Sequence, residues 1–557
     1  MLYESLINLQ QPWRQYGRET MNSRIGHLKA LTAKETPDIG AYLALTKQEY
    51  ENCCMEEIHR KAHFLSCFAR EIPVVIDEQE LIVGSMRFWK ALCPGRNMGH
   101  IIVDYRMILR EGIGGVQKKL AKLTTQAAGA FREAVRAFSE WIGRYARAAG
   151  ELGMTAVAEN CAYLTEHPPK TFHQAMQLVW FVHAFLHAEG KAAAVSFGRF
   201  DDYLYPFYKN DLETGMLTRD AAKELLQCFW LKTCEGDESQ NLTVGGPVEN
   251  ELTYLCLEVT GELKVQQPSL SVRICDGTSK ELWDRTVELV NCKLGMPAIF
   301  NDSTVIKALQ NAKVAPEDAE NYAIVGCYEA NSDGNTFGTT ANAGCIYLNR
   351  ILMEFLDLEQ NYQEFNQFYE DFKKFFKKKY SRDILMQFRK NWQWIREHAV
   401  SPFQSACMGD CLETGIPAEW GGCKYTMAGI NILGLGTLVD SLYALQKLVF
   451  ENKICTYPEF IRQVKQNFPN ETLAVTCKQL KGKYGTGNPE TDTLARELSV
   501  LIADLVDQGE IYPGVVPYAG LFLFLQDITS KNDPATPDGR RQGERLSYGI
   551  GASDFCQ

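Results

Sequence analysis

Hydrophobic and polar positions along the 557-residue chain fall into two periods. Residues 40–70 and 115–165, rich in Ala, Glu, Lys and Arg, read as helices. In "MLTRDAAKELLQCFW" the apolar residues Ala222, Leu225, Leu226 and Phe229 share one helical face, and Thr218 stands where an N-cap is needed. "IPVVIDEQELIVGS" (residues 72–85) holds two short apolar runs around an acidic turn and reads as a strand pair. "QPSLSVRI", "MPAIFND" and "YAIVG" read as further short strands between helices. The phenylalanines of "DFKKFFKKKYSRD" recur at helical spacing, so its lysines read as the solvated face of a packed helix rather than an anion site. Strands alternating with helices over hundreds of residues predict an α/β architecture, with a closed barrel as its form.

Composition narrows the partners. Hydrophobic content of 45% and charged content of 23% are those of a globular protein with a large core. A net charge of -11 is mildly acidic for this length, which speaks against nucleic acid or an anionic membrane surface as a partner. No apolar run reaches the ~18 residues of a membrane span, and the N-terminal stretch is polar too early for a secretory signal. A cytoplasmic protein is expected. The 18 cysteines are scattered through apolar patterns, which favours reduced thiols over a disulfide scaffold. Cys407, Cys411 and Cys423 cluster, but their x3 and x11 spacing matches no zinc pattern, so no bound metal is expected.

One stretch neither packs nor coils: "AIVGCYEANSDGN", from Ala323 to Asn335. It places Cys327 at the end of an apolar run, with Glu329 two residues on. With this many cysteines about one Cys-x-Glu pair arises by chance, and the chain holds four. Cys54 and Cys256 sit in helix-like runs and Cys411 in an irregular stretch containing Gly and Pro. Only Cys327 follows a strand. An extended backbone there would set Cys327 and Glu329 on one side. A polar loop and the amphipathic run "CIYLNRILMEFL" come next, so the cysteine falls at a strand's C-terminal end, where α/β barrels carry chemistry. A thiol beside a carboxylate suits a sulfur that takes hydrogen and a base that takes a proton. A buried structural Cys beside a surface Glu fits the same local pattern.

"EDAENYAIVGCYEA" resembles the thiyl-cysteine loop of the glycyl radical enzymes, in the glycerol, choline and hydroxyproline lyase branch. "GHIIVDYRMILREGIGG", "PPKTFHQAMQLVWFVH", "SFGRFDDYLYPFYKNDLETGMLT", "VDSLYALQKLVFENK" and "ATPDGRRQGERLSYGIG" follow as successive blocks of that family, over nearly the whole chain. The resemblance implies a ten-stranded α/β barrel surrounded by helices, with the Cys327 loop at its centre. It implies one barrel domain over residues 1–557, helical over about 1–165. Cys327 is then the thiyl site, taking hydrogen from a substrate carbon, and Glu329 the base that deprotonates the neighbouring hydroxyl as a leaving group departs. His100 and Asp104 match positions that meet a small polar substrate; a paired core role suits them equally. Ser196, Thr340 and Asn342 are further pocket candidates, while Arg199 and Asp201 read as a structural ion pair. Ala341 stands where diol-binding members carry an aspartate, which weighs against glycerol or propanediol as substrate. Cys-x-Glu also differs from the two adjacent catalytic cysteines of the pyruvate formate-lyase type.

The family's radical-bearing motif, Arg-Val-x-Gly-Tyr, is not found in these residues, and Gly520 in "PYAGLF" reads as a turn glycine. The C-terminal glycyl radical domain is therefore expected to be absent and the radical supplied in trans. The expected partners are a small glycyl-radical-bearing protein and, acting on it, a radical-SAM activating enzyme using a 4Fe-4S cluster and S-adenosylmethionine; a homodimer is left open. Three readings result: the substrate-binding subunit of a split glycyl radical lyase or dehydratase, with decarboxylation as a variant; an inactive or truncated relative with a binding or regulatory role; and a cysteine-nucleophile transferase or hydrolase with His100 as base. The last fares worst, because Glu329 would oppose thiolate formation.

Overall fold

Helices dominate the first described part of the chain, where apolar residues pack on one face of several of them and Asp104, Thr171, Thr218 and Asn250 cap four. The computed structural model describes residues 22–32, 40–87, 93–190, 194–236, 239–338, 343–358, 360–521 and 530–554. Helices α1 (Ser23–Thr32), α2 (Gly40–Asn52), α3 (Glu57–Glu71), α4 (Tyr105–Leu120), α5 (Ala128–Glu151) and α6 (Thr155–Leu164) come first, then α7 (Phe172–Ala188), α8 (Arg219–Thr233) and α9 (Glu251–Leu263). Thr218 caps α8 as expected, its side chain accepting from the Ala221 N–H, and Ala222, Leu225, Leu226 and Phe229 are buried. Asp104 caps α4 by accepting from the Met107 N–H at 2.9 Å.

The chain divides into two units, residues 1–339 with 394–426, and residues 340–393 with 427–557. In the first, strands β1 (Asn241–Gly245), β2 (Ser269–Ile274) and β3 (Ala298–Asn301) form a parallel sheet. Strands β4 (Tyr322–Val325) and β5 (Glu329–Ser332) form an antiparallel hairpin. A short β6 (Thr336–Phe337) pairs with the first two residues of β8 (Tyr425–Leu433). Extended segments widen the sheet: the Phe197 N–H donates to the Asn241 carbonyl, and the Ser196 N–H to that of Ile101. The core around α5 and α7 is aromatic, with Phe138 4.8 Å from Phe403 and Trp141 5.5 Å from Phe181 between ring centroids. Each such buried ring stabilises the unit by about 1.5–3 kcal/mol relative to exposure.

In the second unit β7 (Gly344–Tyr347), the remainder of β8 and β9 (Val516–Leu521) run parallel, β8 lying between the other two. Helices α10 (Leu348–Leu356), α11 (Phe365–Lys379), α12 (Leu435–Ala444) and α13 (Pro489–Asp507) belong to this unit. In α11 Phe368, Phe372 and Phe376 are buried, as the spacing of the basic helix predicts. The described residues thus contain nine named strands.

Several expectations need correction. Residues 72–85 form no strand pair. Their backbone is satisfied by side chains instead: Gln177 bonds both the N–H and the carbonyl of Val83, Trp180 donates to the Gly84 carbonyl, and the Tyr145 hydroxyl accepts from the Ser85 N–H. Cys53 and Cys54 lie in the break between α2 and α3, and Cys411 lies in a short helix, Gly409–Thr414. Gly520 is no turn glycine but a β9 residue opposite Asn431. The run "CIYLNRILMEFL" begins as β7 and turns helical only at Leu348.

Candidate active site

The polar stretch after Cys327 is not an open loop. It returns at once as β5, so Cys327 is the middle residue of a three-residue hairpin turn, Gly326–Cys327–Tyr328, closed by the Val325–Glu329 pair. The backbone is not extended: Gly326 has φ +59° and Tyr328 φ +83°. The extended geometry expected for Cys327 and Glu329 is therefore replaced by a tight turn, and Glu329 is set by its cross-strand partner. Only glycine fits at 326. A Cβ there would lie 2.4 Å from His100 Nδ1 and 2.7 Å from Glu329 Oε2.

Three hydrogen-bonding arrangements hold this turn. The Gly326 N–H donates to Ser196 Oγ at 2.9 Å, and Ser239 Oγ donates to the Gly326 carbonyl at 3.4 Å. Farther back, the Ile324 N–H donates to Thr243 Oγ1 at 2.9 Å, tying β4 to β1. Below it the fully buried Arg273 grips Asp302 with two bonds of 2.9 Å and donates to the Tyr322 and Glu320 carbonyls. A planar guanidinium satisfies all of these at once.

Glu329 is the carboxylate that the hairpin places beside His100. His100 Nδ1 stands 2.9 Å from Glu329 Oε1, and both side chains are largely shielded, at 23% and 8% exposure. A carboxylate only accepts, so Nδ1 carries the proton in this pair. Glu329 Oε2 is buried and has no hydrogen-bond partner among the described residues. His100 reaches this position through left-handed backbone, φ +47°, after Gly99 at +60°, in a turn closed by the Gly99 N–H donating to Asn97 Oδ1 at 2.9 Å. A non-glycine residue in this region costs of order 1–3 kcal/mol and persists where the surroundings enforce it.

The other candidates are placed unevenly. Asp104 spends its carboxylate on the α4 cap, and burial raises its pKa against the opposing Met107 N–H. Ser196 is fully buried and anchors the Gly326 peptide. Thr340, Asn342 and the departure at Ala341 lie outside the described residues. Arg199 and Asp201 are not joined directly; they clamp the end of β1, Arg199 donating to the Gly245 carbonyl at 3.0 Å and Asp201 accepting the Gly245 N–H at 2.8 Å. Beyond β5, Asp333 is buried 3.6 Å from Arg106, and burial pushes its pKa up to about 6. Tyr328 is 43% exposed at the hairpin tip, its ring 6.4 Å from that of Phe300. Sequence reasoning passed over Gly326, Ser239 and Asn97; the glycine before the cysteine was the one available signal.

The chain belongs to the pyruvate formate lyase-like family, which matches residues 86–526, and its neighbours place it among the glycyl radical enzymes. It is 29% identical over 527 residues to "Probable dehydratase YbiW" of Escherichia coli (strain K12), covering 81% of this chain and 65% of that protein. It is 30% identical over 443 residues to the trans-4-hydroxy-L-proline dehydratase of Clostridioides difficile, covering 71% and 55%. The chain therefore spans 55% to 65% of the length of these relatives. The structure of the glycerol-bound B12-independent glycerol dehydratase of Clostridium butyricum superposes with a TM-score of 0.87 at 24% identity, covering 96% of this chain and 84% of that one. The fold is accordingly the α/β barrel of the glycyl radical enzymes. No helix among the described residues is long and apolar enough to cross a membrane.

Proposed function

We propose that this chain is the thiyl-radical, substrate-binding part of a glycyl radical lyase that eliminates water or a similar leaving group from a small polar substrate. One observation carries the reading: Glu329, two residues from Cys327, has one oxygen held by His100 and the other buried with no partner among the described residues. A carboxylate kept in place with one free oxygen suits a base awaiting a hydroxyl proton. The dehydratase names of two relatives point the same way.

In this reading the Cys327 thiyl takes a hydrogen atom from a substrate carbon. Glu329 Oε2 takes the proton of the hydroxyl on that carbon, and the leaving group departs from the adjacent carbon. The product radical then recovers its hydrogen atom from the Cys327 thiol. Gly326, Ser196 and Ser239 position the turn, and Thr340, Asn342 and Asp104 remain candidates for substrate contacts. The radical originates on a glycine outside these 557 residues, which contain no Arg-Val-x-Gly-Tyr motif. A small separate protein carrying that glycine, charged by a radical-SAM activating enzyme with a 4Fe-4S cluster and S-adenosylmethionine, is the proposed source. The assembly works in the cytoplasm as one barrel domain, free or as a homodimer.

The test is anaerobic reconstitution of the native polypeptide with the glycyl-bearing protein, the activating enzyme and a panel of small hydroxylated substrates. Radical-dependent turnover that disappears in Cys327→Ser supports the reading. Turnover of an ester or amide substrate in air, without activation, would replace it with nucleophilic chemistry. Intact mass of the native subunit separates a separate glycyl protein from a continuation of this polypeptide.

A further inference from the structure

Away from the hairpin, α3 carries His63 and Cys67 one helical turn apart, and α2 brings Glu49 against them. His63 Nε2 lies 3.6 Å from Glu49 Oε2 and 3.8 Å from Cys67 Sγ. The three donor atoms all fall within 4.8 Å of one another. A tetrahedral zinc ion, with bonds of about 2.0 Å to nitrogen and 2.3 Å to sulfur, holds its ligands about 3.3–3.7 Å apart. The two His63 spacings need a contraction of a few tenths of an ångström around an ion, and the Glu49–Cys67 spacing one of up to about 1.3 Å, which the long Glu49 side chain can supply. The far side of the imidazole is also furnished. His63 Nδ1 faces Glu133 Oε1 at 3.9 Å, and that carboxylate is itself held by Ser66 Oγ at 3.0 Å. That distance is longer than a hydrogen bond; closing it as Nε2 takes an ion would fix the imidazole's tautomer and raise its basicity.

We propose that Glu49, His63 and Cys67 form a site for one divalent transition-metal ion, best suited to Zn2+, with Glu133 orienting His63. The donor set of imidazole nitrogen, thiolate sulfur and carboxylate oxygen excludes the hard ions Mg2+ and Ca2+, which take oxygen ligands. Cys67 is buried while the Glu49 side chain is 49% exposed and that of His63 34%, so the fourth position opens to solvent. Arg70, an exposed residue, now donates to Cys67 Sγ at 3.5 Å. It swings into solvent when the ion arrives, and the thiol proton is released to water as the metal–sulfur bond forms. The ion cross-links α2 to α3. It is independent of the chemistry proposed at Cys327.

The test uses the purified chain, stripped of metal and held anaerobically, with Co2+ as an optical probe. One equivalent should produce a thiolate-to-cobalt charge-transfer band that Zn2+ abolishes. Cys67→Ser should remove the band. Glu49→Gln should weaken Co2+ binding, and Glu133→Gln should do so by about 10–100-fold. Should Cys67→Ser fail to fold, Glu49→Gln carries the test, since that side chain is half exposed and its loss leaves the core intact. A band that persists in folded Cys67→Ser, or Co2+ affinity unchanged in Glu49→Gln, overturns the proposal. Cobalt absorption without any charge-transfer band means an adventitious ion only and overturns it equally.

Discussion

His100 Nδ1 and Glu329 Oε1 meet at 2.9 Å across a turn that only Gly326 can make, while Glu329 Oε2 is buried without a partner among the described residues. In the proposed reaction this relationship makes the contributions of Cys327 and Glu329 separable. Cys327→Ser is expected to abolish turnover and leave the circular dichroism spectrum unchanged. Glu329→Gln keeps the shape but cannot take a proton, so elimination should fall by at least about 10²-fold, the lower end for a general base. Hydrogen exchange between substrate and the Cys327 thiol should survive in Glu329→Gln. Wild-type turnover in Cys327→Ser would sink the assignment.

Gly326→Ala should damage the site without touching a reacting atom. Its Cβ would meet both His100 and Glu329, at a φ of +59° that an L side chain resists. A cost of about 1–3 kcal/mol is expected from the backbone alone. Activity should fall further, because the His100–Glu329 contact must open. Unchanged activity and thermal midpoint together would show that the turn is looser than described.

Ser196→Ala tests the anchor from below. It leaves the buried Gly326 N–H without its 2.9 Å acceptor, at a cost of about 1–3 kcal/mol. If Ser196 only positions the turn, kcat should drop while KM stays near the wild-type value. A rise in KM alone would return Ser196 to the set of substrate contacts.

The strands at residues 269–274, 298–301 and 322–325 were legible because each is a short apolar run bounded by turn signals. The run at 72–85 looked the same and is no strand. Its partners are Gln177, Trp180 and Tyr145, side chains about 60 to 100 residues away that no local pattern announces. That a strand ends just before Cys327 was legible from its apolar run. The return of the chain at Glu329 was not, since "EANS" carries no apolar alternation and is held as a strand by pairing with β4. Nor could spacing place His100 beside Glu329, 229 residues away.

The Arg273–Asp302 pair should be worth more to the fold than to the chemistry. Both groups are buried, and Asp302 also accepts from the Tyr322 hydroxyl at 2.7 Å. Asp302→Ala leaves an uncompensated guanidinium beneath the hairpin, and a loss of about 3–5 kcal/mol is expected. A thermal midpoint within error of wild type would show that the pair is not needed to seat β4.

Two buried glutamates predict an acid-favouring slope in stability. Burial pushes Glu419 up to about 8 and Glu189 up to about 7, with Lys61 and nearby N–H groups opposing it in both cases. Glu189 accepts from the Phe403 and Gln404 N–H groups, and Glu419 Oε1 from Gln404 Nε2 at 3.2 Å. Glu419 Oε2 has no partner among the described residues. In the unfolded chain a glutamate titrates near about 4.3. The folded state therefore holds protons that the unfolded state has given up, over the window from about pH 4 to pH 8. The stability these groups contribute is present below that window and is lost as pH rises through 7 and then 8. Glu419→Gln keeps the oxygen that accepts from Gln404 and removes one titration. Its thermal midpoint should decline less than that of wild type between pH 6 and about pH 8.5, so the gap between the two curves should widen toward alkaline pH. Parallel curves for the two proteins would show that Glu419 does not titrate in this window.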